Sequence, residues 1–197
     1  MENIQDTLLS FSVDTDGIGT LVIDQKENSA NLFSEEFIQR YIEVAHQAIA
    51  DEKVKGVIVT SGRTIFMAGA DLKSLVEEIP DKAAFTNNIL KMHEGMRAIE
   101  TGGKPFVAAI NGTALGGGLE LCLACHHRIA LNSTKIKIGF PEIKVGLFPG
   151  GGGTVKAPYL LGIQTALMYL LQGIEARPQK ALKDGLIDAV AETQEEM

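Results

Sequence analysis

Short apolar runs, too brief for buried helices, alternate along this chain with longer segments of helical period, and that alternation points to the α/β class. Gly56-Val57-Ile58-Val59-Thr60 and residues 105–110 are the clearest such runs, and each predicts a strand covered on both faces. Ser34 offers an N-cap, with Glu35 and Glu36 in the favourable first turn. Phe37, Tyr41, Val44, Ala48 and Ile49 then recur on one helical face up to Asp51. Residues 81–100 repeat the pattern with Phe85, Ile89, Met92, Met96 and Ile99, and Thr101-Gly102-Gly103 ends it. A hairpin over 8–13 and 18–23 opens the chain, turning at Asp14-Thr15-Asp16-Gly17. Further strands are expected at 128–131, 136–138 and 186–190. Further helices are expected at 71–76, at 157–172 with a break at Gly162, and at 178–183, while residues 61–69 read as loop. The 197 residues suffice for one domain with a real core.

Charge narrows the partners. A net charge of −7 argues against nucleic acid, which asks for a basic face. An acidic chain can still hold an anionic ligand through local amides or a few lysines. No apolar run approaches the roughly 20 residues that span a bilayer. The first six residues carry two acids and no base, unlike a secretory or mitochondrial leader, so the expected compartment is the cytoplasm. Cys122-Leu123-Ala124-Cys125-His126 matches the string of covalent haem attachment. Its apolar surroundings, residues 119–130, instead predict two core cysteines on a buried helix running into a strand.

Chemistry concentrates at two carboxylates set against glycine-rich backbone. Glu120 closes Asn111-Gly112-Thr113-Ala114-Leu115-Gly116-Gly117-Gly118-Leu119-Glu120. Glu142 follows Gly139-Phe140-Pro141 and precedes Gly146-Leu147-Phe148-Pro149-Gly150-Gly151-Gly152-Gly153-Thr154. Glycine lets backbone N–H groups approach a ligand closely, and a carboxylate beside them can move protons while the amides hold developing negative charge. The glycine spacing fails the dinucleotide fingerprint, and Thr154 and Val155 separate the glycines from Lys156, which fails the P-loop. His46, His93, His126 and His127 show no partner pattern and are read as surface or core residues.

Three motifs in order give the chain a resemblance to the crotonase (enoyl-CoA hydratase/isomerase) superfamily. Phe66-Met67-Ala68-Gly69-Ala70-Asp71-Leu72 resembles its first oxyanion and coenzyme A loop, and 111–120 its second oxyanion segment with a catalytic glutamate. Pro141-Glu142 with the glycine run behind it resembles the second catalytic segment. Ala181-Leu182-Lys183-Asp184-Gly185-Leu186-Ile187-Asp188 also fits. The stretch from Glu120 to Arg128 and the 22-residue step from Glu120 to Glu142 are similar to the amino-terminal hydratase part of multifunctional fatty-acid oxidation α-subunits. The implied fold is a spiral of ββα units lacking the usual C-terminal helical segment, with residues 1–197 one hydratase domain of a larger protein.

What the resemblance implies is syn addition of water to a trans-2-enoyl-CoA, giving a 3-hydroxyacyl-CoA. The N–H groups of Ala70 and Gly117 would hold the thioester oxygen, and Glu120 and Glu142 would flank the double bond. The family gives Glu120 the water and Glu142 the acid role; the residues alone leave that assignment open. Ala68, Gly69, Asp71 and Leu72 would meet coenzyme A, with Gly116, Pro141 and Gly150 lining the substrate, and Lys26 or Lys73 would meet its phosphates. The side chain of Asp71 is read as the cap of the helix after it. Coenzyme A enters as part of the substrate, with no resident cofactor and no metal. The implied partners are the acyl-CoA thioester, further copies of the chain, and a thiolase β-subunit for the full-length parent. Where the family often has Gly-Thr-Gln-Arg, this chain has Thr154-Val155-Lys156. Δ3-Δ2-enoyl-CoA isomerisation, which needs a single base, and a non-catalytic acyl-CoA-binding module remain alternatives. A serine peptidase does not, because no serine sits in the glycine motifs.

Overall fold

A computed structural model describes residues 3–70 and 82–197. Strand β1 (Ile4–Gln5) pairs antiparallel with β2 (Leu9–Val13), and β2 forms the hairpin with β3 (Ile18–Ile23). The turn between them is held by Asp14, whose Oδ1 accepts from the N–H groups of Asp16 and Ile18 at 2.9 and 2.8 Å. Helix α1 (Glu35–Ala50) begins where expected, with the Ser34 hydroxyl accepting the Phe37 N–H at 3.2 Å.

From there the chain repeats one device. A first strand joins the large sheet and a second, shorter strand crosses to a small sheet. Strands β4 (Gly56–Ser61), β6 (Phe106–Ile110) and β8 (His127–Leu131) are the first of each pair. Strands β5 (Ile65–Met67), β7 (Thr113–Leu115) and β9 (Ile138–Gly139) are the second. Helix α2 (Lys82–Thr101) follows the first pair, and α3 (Gly117–Ala124) follows the second. After the third pair come a 3-10 turn (Glu142–Val145), α4 (Gly153–Leu161) and α5 (Ile163–Gln172). Strand β10 (Glu175–Ala176), α6 (Pro178–Asp184) and β11 (Ala189–Ala191) complete the order.

The large sheet runs β1-β2-β3-β4-β6-β8-β11, parallel from β3 onward. The small one runs β10-β9-β7-β5. The architecture is the expected α/β one, with ββα units in succession. Phe11, Phe37, Phe66, Phe106, Phe140 and Tyr169 are fully buried between these layers. Cys122 and Cys125 are free and lie in the same core. Among the described residues, no helix is long and apolar enough to cross a membrane.

Some expectations change. Residues 61–69 contain β5 rather than loop alone, and the glycine run contains β7; both have only three residues, below the length at which period 2 shows. The last strand lies at Ala189–Ala191, because Leu186 and Ile187 go into the core on the turn before it. The helix break at Gly162 is present, with that glycine at φ 72°, but the first half begins at Gly153. The helix expected over 71–76, with Asp71, Leu72 and Lys73, lies outside the described residues.

Candidate active site

Helix α3 is buried on every side from Gly118 to Ala124, and Glu120 is its one charged residue, 2% exposed. A bare carboxylate in such a place is strongly disfavoured unless donors reach it. They come from the four-glycine turn. The Gly153 N–H, first in α4, donates to Glu120 Oε1 at 2.7 Å, and the Gly151 N–H adds a second bond. The N-terminus of α4, which favours an anion, thus faces this chain's own glutamate. Only glycine permits the approach: a Cβ at Gly151 would stand 2.8 Å from Glu120 Oε2. Burial raises the Glu120 carboxyl above its ordinary value, while these amides and the Lys156 charge pull it back.

Glu142 opens the 3-10 turn, directly after Pro141. The turn is closed by Gly146 at φ 76° and by the Leu147 N–H donating to the Glu142 carbonyl at 3.0 Å. Its carboxylate rests on the glycine run. Gly116 has φ 53°, and a Cβ there would lie 2.7 Å from Glu142 Oε1. The buried Oε2 has no hydrogen-bond partner among the described residues. Burial pushes this carboxyl up to about 7; its own backbone N–H opposes the rise and the charge of Glu120 adds to it. The two glutamates are therefore electrostatically coupled.

The loop at Ala70 meets the same backbone. Asn31, fully buried, ties it down: its Nδ2 lies 3.0 Å from the Ile23 carbonyl, the Ser61 hydroxyl and the Phe66 carbonyl, and its own carbonyl accepts the Ala68 N–H at 2.9 Å. Ala70 bridges Phe33 in parallel, with the Phe33 N–H donating to Gly69 at 2.9 Å, so the Ala70 N–H points to the opposite edge. Gly69, at φ 96°, packs so closely that a Cβ would stand 3.3 Å from the Gly117 nitrogen. That nitrogen is the first of α3 and has no acceptor within its own helix.

The structure thus gathers Ala68, Gly69, Ala70, Gly116, Gly117, Glu120, Pro141 and Glu142 around one stretch of backbone. Gly150 lies at the start of the turn that holds Glu120, its carbonyl accepting from His93 Nε2 of α2. Asp71 and Leu72 are outside the described residues. Sequence reasoning missed Phe33, whose ring packs on Gly117 within 2.9 Å of where a Cβ would be. It also left His93 without a partner, and nothing in the spacing of either residue signals its place. Lys156 did carry a signal, as a departure from the expected pattern; its ammonium pairs with Glu100.

Known proteins share this arrangement of sequence and fold. Residues 15–197 match the family model described as enoyl-CoA hydratase/isomerase. A Pseudomonas putida (strain GB-1) protein named fatty acid oxidation complex subunit alpha is 43% identical over 176 residues, 88% of this chain and 24% of its own length. The Idiomarina loihiensis protein of the same name is 38% identical over 189 residues, 94% of this chain and 26% of its own. The chain thus spans about a quarter of the length of these curated relatives. Among solved structures, an enoyl-CoA hydratase from Geobacillus kaustophilus HTA426 superposes with a TM-score of 0.91 at 30% identity, covering 99% of this chain and 72% of that one. One from Thermoplasma volcanium GSS1 gives 0.88 at 28%, covering 96% and 74%. With the family model matching residues 15–197, nearly the whole length, the chain belongs to the enoyl-CoA hydratase/isomerase family.

Proposed function

We propose that this chain adds water to trans-2-enoyl-CoA thioesters in fatty-acid oxidation. The observation that carries the reading is the pair of unlike, coupled glutamates, Glu120 held by the four-glycine turn and Glu142 against Gly116. Hydration needs two proton-handling groups, an ionised one to take a proton from water and a protonated one to give a proton to C2. Glu120 has two amide donors and a nearby cation, which favour its ionised form. Glu142 has an oxygen without partner, burial and the repulsion of Glu120, which favour its protonated form near neutrality. Glu120 therefore takes the water and Glu142 acts as the acid. The N–H groups of Ala70 and Gly117 receive the thioester oxygen as charge builds on it, and one such donor is typically worth about 3 kcal/mol of barrier.

Coenzyme A is part of the substrate, carried along the loop of Ala68 and Gly69 and the residues after it. We place the reaction in the cytoplasm and the chain as the hydratase domain of a longer multifunctional protein with a thiolase partner. That the chain spans about a quarter of proteins named fatty acid oxidation complex subunit alpha supports its being one domain of a longer protein. Isomerisation needs one base, and a second poised carboxylate would be idle in it.

The test is ultraviolet absorbance of crotonyl-CoA mixed with the chain. Loss of the conjugated thioester band at an enzymatic rate is expected. Binding of the thioester with no hydration would leave an acyl-CoA-binding module instead.

A further inference from the structure

Lys156 lies at the junction between the site and the outer face of α2. Its backbone N–H donates to the Gly152 carbonyl at 2.9 Å, so it follows the glycine turn by one helical turn. Its stem runs beneath that turn, where a Cβ at Gly152 would be 3.4 Å from Lys156 Cε. The Nζ is buried and paired with Glu100 near the end of α2. An ammonium held inside, on a stem packed against the turn that grips Glu120, acts on that carboxylate through protein, where charge interactions are far stronger than through water.

We propose that Lys156, with Glu100 as its counter-charge, is an electrostatic positioning residue for Glu120. Lys156 adds its charge to the amides of Gly151 and Gly153 in favouring the ionised form of Glu120, and Glu100 limits how strongly it does so. The other charged groups around this pair are otherwise engaged. Arg97 donates to the second oxygen of Glu100 at 3.1 Å. Arg128 of β8 is bound to Asp188 at 2.6 Å and to the Cys125 carbonyl at 2.8 Å. Burial pushes the Cys122 thiol well up and that of Cys125 up to about 12, so both are neutral. Glu142 faces Glu120 from the 3-10 turn and repels it, and His93 is bonded to Gly150. Among the described residues, Lys156 is the cation whose charge reaches Glu120, and the same charge reaches Cys125. In catalysis the consequence is that Lys156 helps decide which glutamate carries the proton, and this part rests on the hydratase reading above.

Two substitutions should act in opposite directions. Lys156→Met removes the cation and keeps the stem, and Glu100→Gln releases the cation from its partner. Carbon-13 NMR titration of glutamate carboxyls, with the Glu120 signal assigned by its loss in Glu120→Gln, reads the effect in the free protein. The Glu120 midpoint should rise by about one pH unit in Lys156→Met, fall in Glu100→Gln and return in Lys156→Arg. The acidic limb of kcat/KM for crotonyl-CoA should move the same way in each variant. Midpoints unmoved by both substitutions, or moved in the same direction by both, overturn the proposal. Should Lys156→Met not fold, Glu100→Gln and Lys156→Arg still decide it. Midpoints that shift as stated in a chain without hydratase activity would count against the proposed function and leave the coupling standing.

Discussion

Glu120 and Glu142 are the same residue in the same site, yet the fold treats them differently. Glu120 stands on a fully buried helix and is gripped by the N-terminus of another. Glu142 stands on a four-residue turn at the edge of the molecule, among exposed Ile143, Val145, Leu147 and Phe148. Burial raises both carboxyls, but one meets donors and a cation while the other meets a like charge and an unpartnered oxygen. Burial is the largest influence on both, and the surroundings of each oxygen then separate them: the amides of Gly151 and Gly153 and the Lys156 charge oppose the rise at Glu120, while the charge of Glu120 adds to it at Glu142.

Removing either carboxylate should break the pair most completely. Glu120→Gln and Glu142→Gln should each lower kcat for hydration by about 10²–10⁴-fold, the scale of general acid or base catalysis. Crotonyl-CoA turnover measures it, and near-wild-type turnover in either variant removes that residue from the chemistry. The next largest effects should come from glycines that touch only one member. Gly151→Ala places a methyl against Glu120, and Gly116→Ala places one against Glu142 on backbone at φ 53°. Displacing a carboxylate by an ångström is enough for about 10²-fold loss of rate, so both should fall far below wild type with the fold retained by circular dichroism.

Stability against pH separates the two more gently. Folded Glu142 keeps its proton up to about 7, whereas the unfolded chain releases it near the ordinary 4.5. The native state therefore binds more protons in that window, and stability from this group falls as pH rises through it. Glu142→Gln removes the penalty. Its Tm should match wild type below pH 4.5 and exceed it by roughly a few degrees at pH 8, by calorimetry. The smallest effect concerns how the turn is held. Lys144 of the turn and Lys137 each donate to Glu175 at 2.7 Å. Glu175→Gln loosens that partly exposed clamp and should lower kcat less than about tenfold, within the modest worth of such pairs.

Much of this was legible in the sequence. The strands at 56–60 and 105–110, the Ser34 cap and the break at Gly162 carry local signals that the tertiary fold leaves intact. The two glutamates stood out because glycine clusters beside acids are uncommon in plain structural segments. What escaped was set at long range. Strands β5 and β7 form because each finds a partner in the small sheet, which three residues cannot announce. Phe33 reaches the site through a single bridge to Ala70, 37 positions away in the chain. The grip of Gly151 and Gly153 on Glu120 joins residues more than 30 apart, and neither motif alone indicates that one holds the other.

The division of labour between the glutamates is tested most directly by titrating their carboxyl carbons in the free wild-type protein, each signal assigned by its loss in the matching Gln variant. The account predicts a midpoint for Glu142 near 7, with Glu120 titrating below it. Glu120 titrating above Glu142, or both at the ordinary carboxylate value, would contradict it.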